Sequence, residues 1–344
     1  MRSITQILLS GLVLVSACGP STGQAVPEPA RQSLVIDAPP LSRCMNLSGA
    51  LEADYEGEWG YTIRLDHIDA IAAAGFDAIR LPVRWSAHLS GPDHRIDPAV
   101  LARVDAIIAH ARTRGLAVVL DVHHFEAMMA DPTGQLPVLE VIWRQLATHY
   151  ADQPDDLVFE ILNEPTDRVS AAQVDAINAR ILPVIRAVSP DRWVILASAR
   201  WNNIDGLEQA APLPADPRLM MTVHYYDPFD FTHQGAPWSN RSETGISWGG
   251  PRDELALTQD FEAIAAQMEA RNVPVLLGEF GVYAGVPEHL RARWVGAVRE
   301  AAEARGMSWC HWGFASTLRS YDASRDDWIP ALREALVPGS GQDF

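Results

Sequence analysis

The sequence predicts a (β/α)8 TIM barrel formed as a single domain, an α/β fold, and three observations carry that prediction. Strand-length apolar runs alternate with amphipathic helical segments eight times over about 300 residues. The runs are apolar at successive positions rather than alternate ones, the pattern of parallel strands covered on both faces by helices. Four returns from helix to strand carry Gly75, Gly115, Asn272 or Gly306, residues that tolerate the left-handed conformation closing a helix. An open sheet with a dinucleotide-binding turn is disfavoured, because no GxGxxG follows an early strand.

In order, the chain begins with a segment that reads as an export signal. Arg2 supplies the charge, Ile7 to Val15 a short apolar core, and Val15-Ser16-Ala17-Cys18 a small-residue end. The apolar stretch is too short for a permanent membrane span. Val-Ser-Ala-Cys resembles a bacterial lipobox, which implies that Cys18 is lipidated and heads the mature chain; the alternative is an ordinary signal peptide that happens to contain Cys. The expected division is a lipoprotein signal peptide over residues 1–17, a Pro-, Ala- and Ser-containing tether over 18–40, and the barrel domain over 41–344.

Within that domain the expected strands are Arg43–Leu47, Ala78–Pro82, Ala117–Val122, Leu157–Leu162, Val194–Ala197, Met220–Tyr225, Val275–Phe280 and Ser308–Trp312. Between them, apolar residues recur at helical steps over Ile63–Ala74, Pro98–Arg114, Leu136–Tyr150, Ala171–Val188, Asp253–Arg271 and Pro287–Arg305. A short piece near Ile204–Ala211 and a last helix, Trp328–Leu336, complete the eight pairs.

Composition narrows the function. The 27 basic and 44 acidic residues leave a net charge of −17, which disfavours nucleic acid and anionic lipid headgroups as partners but not a neutral substrate. Hydrophobic residues make up 48% of the chain, enough for a large core. The 3 Cys show neither zinc-ligand nor CxxC spacing. Cys44 and Cys310 fall on the first and last strands, neighbours in a closed barrel; adjacent parallel strands rarely offer disulfide geometry, so two buried thiols are expected.

In such a barrel, chemistry gathers at the C-terminal strand ends. Two apolar runs each deliver one carboxylate there: Leu157–Leu162 runs into Asn163-Glu164-Pro165, and Val275–Leu277 into Gly278-Glu279. Four other strands end in Arg80, His123 and His124, His224 and Tyr226, and Trp312. A lone Glu at a strand end is more often a surface charge or an ion-pair member; the joint context favours an acid/nucleophile pair. Glu160 shares parity with Glu164 and reads as a buried partner of a cation such as Arg80, not as a third acid. His224 and Tyr226 point the same way, and Tyr226 is placed to bond Glu279. His123-His124 as metal ligands lack an accompanying carboxylate-rich set, and no metal or organic cofactor is expected.

Together, Arg80 in Ile-Arg-Leu-Pro, Asp121-Val-His-His124, Asn163-Glu164-Pro165, His224-Tyr-Tyr226, Gly278-Glu279-Phe280-Gly281 and Trp312 resemble glycoside hydrolase family 5, the cellulase family, in order from about Asn46 to Leu336. The resemblance implies a retaining glycosidase with Glu164 as acid/base and Glu279 as nucleophile. Two neighbouring carboxyls cannot both ionise easily, so Glu164 should keep its proton while Arg80 holds Glu279 charged. Asn163 would donate to a sugar 2-hydroxyl, and His123 would bind a hydroxyl of the sugar under attack. His124 reads equally as a sugar contact or a packed histidine.

Of 11 Trp, six fall in loops or at strand ends where a sugar face could stack: Trp59, Trp85, Trp201, Trp238, Trp248 and Trp312. Trp312 is the expected platform for the attacked sugar, and Trp238 belongs to the long segment 228–252, where an active-site loop is expected. The reading is an exported, membrane-anchored lipoprotein, periplasmic or at the cell surface and expected to be monomeric. It would hydrolyse internal β-1,4 bonds of a β-glucan polysaccharide or oligosaccharide and touch the membrane through its lipid anchor only. A β-mannanase or a hydrolase of another β-glucan linkage would use the same machinery. From a different class, a non-catalytic glycan-binding lipoprotein would usually have lost one carboxylate, and a structural envelope protein leaves the strand-end residues unexplained.

Overall fold

Eight parallel strands close on themselves in the computed structural model, which describes residues 38–166 and 168–339. The expected signal peptide, Cys18 and nearly all of the tether lie outside the described residues. The strands are β1 (Arg43–Asn46), β2 (Ala78–Leu81), β3 (Ala117–Asp121), β4 (Leu157–Glu160), β5 (Val194–Leu196), β6 (Leu219–Tyr225), β7 (Val275–Phe280) and β8 (Ser308–His311). Each pairs with its sequence neighbours, and β8 pairs back onto β1. The (β/α)8 barrel predicted from the alternation is thus the observed fold, and no described helix is long and apolar enough to cross a membrane.

The main helices outside the ring are α1 (Leu65–Ala73), α2 (Pro98–Thr113), α3 (Pro132–His149), α4 (Ala171–Arg186), α5 (Ile204–Gln209), α6 (Pro251–Arg271), α7 (Glu288–Glu303) and α8 (Pro330–Leu336). Gly75, Gly115 and Gly306 adopt φ of 96°, 73° and 69°, and Asn272 caps α6 at φ 49°. Helix α3 starts a turn earlier than the expected Leu136, because Asp131 accepts the Gly134 amide and Pro132 fills the first helical position. That polar turn carries no apolar periodicity to reveal it. Trp328 pairs in a hairpin with Tyr321, so the last helix begins at Pro330.

Side chains divide the barrel into two apolar layers. A large cluster lies between strands and helices; a smaller one, including Cys44, Ala78, Ala117, Val119, Val158, Ile195, Met220, Leu276 and Cys310, fills the ring's interior. Above that floor the inward positions change character to Asn46, Arg80, Asp121, Glu160 and Thr222, all with 0% exposure. Placing charges there is costly unless each is paired and hydrogen-bonded.

Cys44 and Cys310 are joined in a disulfide, which corrects the expectation of two free thiols. They are direct register partners across β1 and β8, with Cα atoms 4.1 Å apart. Both face the inside of a closed ring, where curvature draws inward side chains together; the objection from adjacent parallel strands holds for a flat sheet. Alkylating the denatured, unreduced domain should leave both cysteines unmodified, and labelling at either would contradict the bond. Replacing both by Ser should lower stability by about 2–4 kcal/mol.

Candidate active site

One buried cation organises the barrel mouth. Arg80, on β2, grips Glu160 of β4 with two bonds, Nε–Oε2 at 2.7 Å and Nη2–Oε1 at 2.9 Å. It also donates to Glu279 at 2.9 Å, pairs with Asp121 at 2.8 Å, and donates to the amide oxygens of Asn46 (3.0 Å) and Asn163 (2.7 Å). The planar fork of guanidinium suits such a multidentate site as an ammonium cannot. Glu160 is therefore the cation partner that strand parity pointed to.

Glu279 faces this cation because β7 is irregular. Val223 of β6 pairs with Leu277, but the next residue, His224, pairs with Glu279. On the other side Trp309 pairs with Leu277, and His311 with Phe280. Gly278 is thus an extra residue in β7, a β-bulge, and it turns Glu279 inward beside an already inward Gly278. Asn46 caps the displaced Gly278 carbonyl with an amide bond of 3.0 Å. A Cβ at Gly278 would stand 2.5 Å from Thr222 Oγ1, so only glycine fits the bulge unchanged.

Glu164 approaches from the loop after β4. Its Oε1 lies 2.6 Å from His224 Nδ1, which is also 3.6 Å from Glu279 Oε2. The backbone around it is held from the loop after β5: Trp201 donates to the Pro165 carbonyl at 2.8 Å, and the Asn202 amide to that of Asn163. Burial pushes the Glu164 carboxyl up to about 7 despite the pull of Arg80. Burial raises Glu279 as well, also to about 7, but Arg80 and the Tyr226 hydroxyl, which donates to Oε2 at 2.9 Å, favour its anion. These direct bonds favour the anion on Glu279 and the shared proton on Glu164. Burial also keeps His224 neutral and Tyr226 protonated.

The remaining expected residues line one rim. His123 is 1% exposed, bonds Asp121 at 2.7 Å through Nδ1, and stacks on Trp312 with ring centres 5.6 Å apart and planes 7° from parallel. His124 is exposed, between His123 (4.5 Å) and Trp59 (6.0 Å), rather than packed. Trp312 is joined to Gly313 by a cis peptide bond. Trp238 is half exposed and meets Tyr283, from the loop after β7, at 5.1 Å. Trp59 and Trp201 are also exposed, at 52% and 43%. Trp85 and Trp248 are not available to a ligand: Trp85 is fully buried and donates to the Asp121 carbonyl at 2.9 Å, and Trp248 packs near Phe231. Both sit in loops by sequence, yet these loops fold inward.

Asn46 and Asp121 were not singled out for a role from sequence, and they frame the site. Asp121 accepts from Val83 N at 3.1 Å as well as holding Arg80 and His123. The signal was strand parity, since Asp121 shares the inward face with His123 and Asn46 ends β1 beside Arg80 in register. Glu164, His224 and Glu279 each bring one donor atom within 4.8 Å of the others, a spacing at which three ligands can surround a cation. Those atoms already hold protein partners, and Arg80 supplies the local positive charge.

Comparison with known proteins follows the same geometry. Residues 45–317 match the profile of Cellulase (glycosyl hydrolase family 5). Endoglucanase H of Acetivibrio thermocellus is 34% identical over 268 residues, 78% of this chain but 29% of that protein. The Cellulase/esterase CelE of the same organism is likewise matched over only 39% of its length, so the chain spans about a third of these relatives. Endoglucanase A of Ruminococcus albus is 27% identical across 79% of each chain. Solved structures of Thermotoga maritima Cel5A with cellobiose and with mannotriose each superpose with a TM-score of 0.85 at 37% identity, covering 87% of this chain and 98% of theirs.

Proposed function

The chain belongs to the cellulase family, glycosyl hydrolase family 5, and is a glycoside hydrolase; from that premise we propose a retaining endo-β-1,4-glucanase acting through Glu164 and Glu279. The observation that carries the mechanism is the approach of the two carboxylates, with donor oxygens within 4.8 Å. Retention needs carboxyl groups about 5–5.5 Å apart, whereas inversion needs about 6.5–9.5 Å to admit a water.

Glu279, held ionised by Arg80 and Tyr226, attacks the anomeric carbon as Glu164 gives its proton to the departing oxygen. Glu164, now a carboxylate, takes a proton from the water that hydrolyses the glycosyl-enzyme, and the starting state returns. Asn163 spends its oxygen on Arg80, and its amide nitrogen donates to no described residue, which leaves it for a sugar 2-hydroxyl. The stacked Trp312 and His123 would form the wall against the attacked sugar. Exposed Trp59 and Trp201 emerge after β1 and β5, opposite arcs of the ring, which supports cleavage within a chain.

The test is reducing-sugar release by residues 41–344 on carboxymethyl-cellulose, mixed-linkage glucan, mannan and xylan. Preference for the glucans supports the reading; inactivity on every polymer sinks it. Preference for mannan would keep the mechanism and change the substrate, a reading favoured by the likeness to a protein solved with mannotriose. The Cys44–Cys310 disulfide supports an oxidising compartment and hence export. If Cys18 is lipidated, labelled palmitate will enter the full chain and be lost in Cys18→Ser.

The raised Glu164 carboxyl makes a pH prediction. Activity requires Glu164 protonated, so kcat/KM should fall as pH rises through about 7. Because folding favours its protonated form, the same group contributes stability that is present below its ordinary value of 4.5 and lost as pH rises through about 7. Glu164→Gln should abolish most activity and flatten the decline in unfolding free energy, and with it Tm, between pH 5 and pH 8, the free-energy difference being on the order of 1–3 kcal/mol at the alkaline end. An unchanged Tm–pH curve would refute the assignment.

A further inference from the structure

The acid role of Glu164 imposes a requirement on His224. To protonate a leaving group, Glu164 must carry its proton on the oxygen facing the substrate, so Oε1, 2.6 Å from His224 Nδ1, must accept rather than donate. His224 must then be the tautomer with hydrogen on Nδ1. The second carboxylate near Nδ1, Glu279 Oε2 at 3.6 Å, favours that placement as well. A neutral imidazole with Nδ1–H leaves Nε2 as a bare acceptor, and which nitrogen holds the proton is set by what the other one meets.

His224 Nε2 is buried and has no partner among the described residues. The same holds for the hydroxyl of Thr222, two residues earlier on the inward face of β6. Both orphaned atoms border one notch: a Cβ on Gly278 would meet Thr222 Oγ1 at 2.5 Å and His224 Nε2 at 3.0 Å. Only glycine leaves that point unfilled, so a hydroxyl and an imidazole nitrogen close on it together. Unpaired buried polar atoms are uncommon in native proteins, and two facing one gap point to each other.

We infer that Thr222 is a positioning residue, whose hydroxyl supplies the hydrogen at His224 Nε2 and so fixes the tautomer that leaves the Glu164 proton free for the departing oxygen. The bond crosses the notch at Gly278, after a turn about the Thr222 side-chain torsion or through one bridging water; either route delivers a donor to Nε2. No proton is consumed. The hydroxyl hydrogen stays on Thr222, the Nδ1 hydrogen stays on His224, and only the Glu164 proton moves to the leaving oxygen. Without the hydroxyl, the Nε2–H tautomer becomes accessible, Nδ1 turns acceptor, and Glu164 donates its proton to His224.

This inference rests on Glu164 being the general acid, and the experiment separates the two. kcat/KM is measured for a cello-oligosaccharide, whose leaving oxygen needs protonation, and for a nitrophenyl cellobioside, whose leaving group does not. Thr222→Val should lose about tenfold or more on the oligosaccharide and no more than about threefold on the aryl substrate, while Thr222→Ser restores both. Should the Val variant not fold, Thr222→Ala is read the same way. Equal losses on both substrates, no loss, or failure of Ser to restore would overturn the role, because a packing defect does not sense the leaving group. Glu164→Gln is run alongside. If it discriminates between the substrates and Thr222→Val does not, only the relay falls; if it does not discriminate, the acid assignment fails and the relay with it.

Discussion

Glu279→Ala lowers cleavage of a β-glucan by at least about 10⁴-fold, and added azide restores turnover of an aryl glycoside with release of an α-glycosyl azide. The size follows from the geometry, since no other carboxylate stands where Glu279 does: Glu160 and Asp121 are fully buried and held by Arg80. The stereochemistry follows from the proposed retaining mechanism. A small anion entering the space left by the side chain attacks from the same face as the carboxylate, and with no second displacement the product keeps the inverted configuration. Product analysis by NMR checks it. A β-azide, or rescue equally good in Glu164→Gln, would reverse or remove the assignment. Folding should survive, because the substitution removes one of three acidic partners of Arg80 and leaves its bidentate bond to Glu160.

Arg80→Met carries the largest expected loss of stability, about 3–5 kcal/mol or roughly 10 °C in Tm. It strands Glu160 and Asp121 at 0% exposure, and Glu279 at 4%, without a counter-charge. Burial already raises the Asp121 and Glu279 carboxyls against the pull of Arg80, and without that cation they would rise further, so the folded state would take up protons that the unfolded state releases. The deficit should be smaller at pH 5 than at pH 8. Arg80→Lys returns the charge without the fork and should recover only part of the loss. Calorimetry across pH decides: a deficit independent of pH would mean that the guanidinium matters for packing alone.

Much of this site was legible in the chain because a barrel turns sequence order into position. Each strand delivers its C-terminal residues to one rim, so Arg80, His123, Asn163, Glu164, His224, Tyr226 and Trp312 could be assigned to the same mouth from local patterns. Glu160 was placed by parity alone. What parity cannot see is a change of register. Simple alternation along β7 from the inward Leu276 points Glu279 at the helices, and only the pairing on both flanks reveals Gly278 as an extra residue. Likewise the thiol-to-disulfide difference turned on the curvature of a closed ring, and the burial of Trp85 on an indole bond to the Asp121 backbone. Those are contacts between distant segments, and no local pattern encodes them.

The bond between Cys44 and Cys310 has a topological side. It welds the first strand to the last and closes a covalent loop, with a sequence separation of 266 between the two cysteines, that contains all the proposed catalytic groups. A protease that cuts one surface connection inside the loop would leave a single molecule, its two pieces tied at the seam where the ring closes. Damage that would scatter a linear chain becomes a nick that the surrounding strands can hold shut.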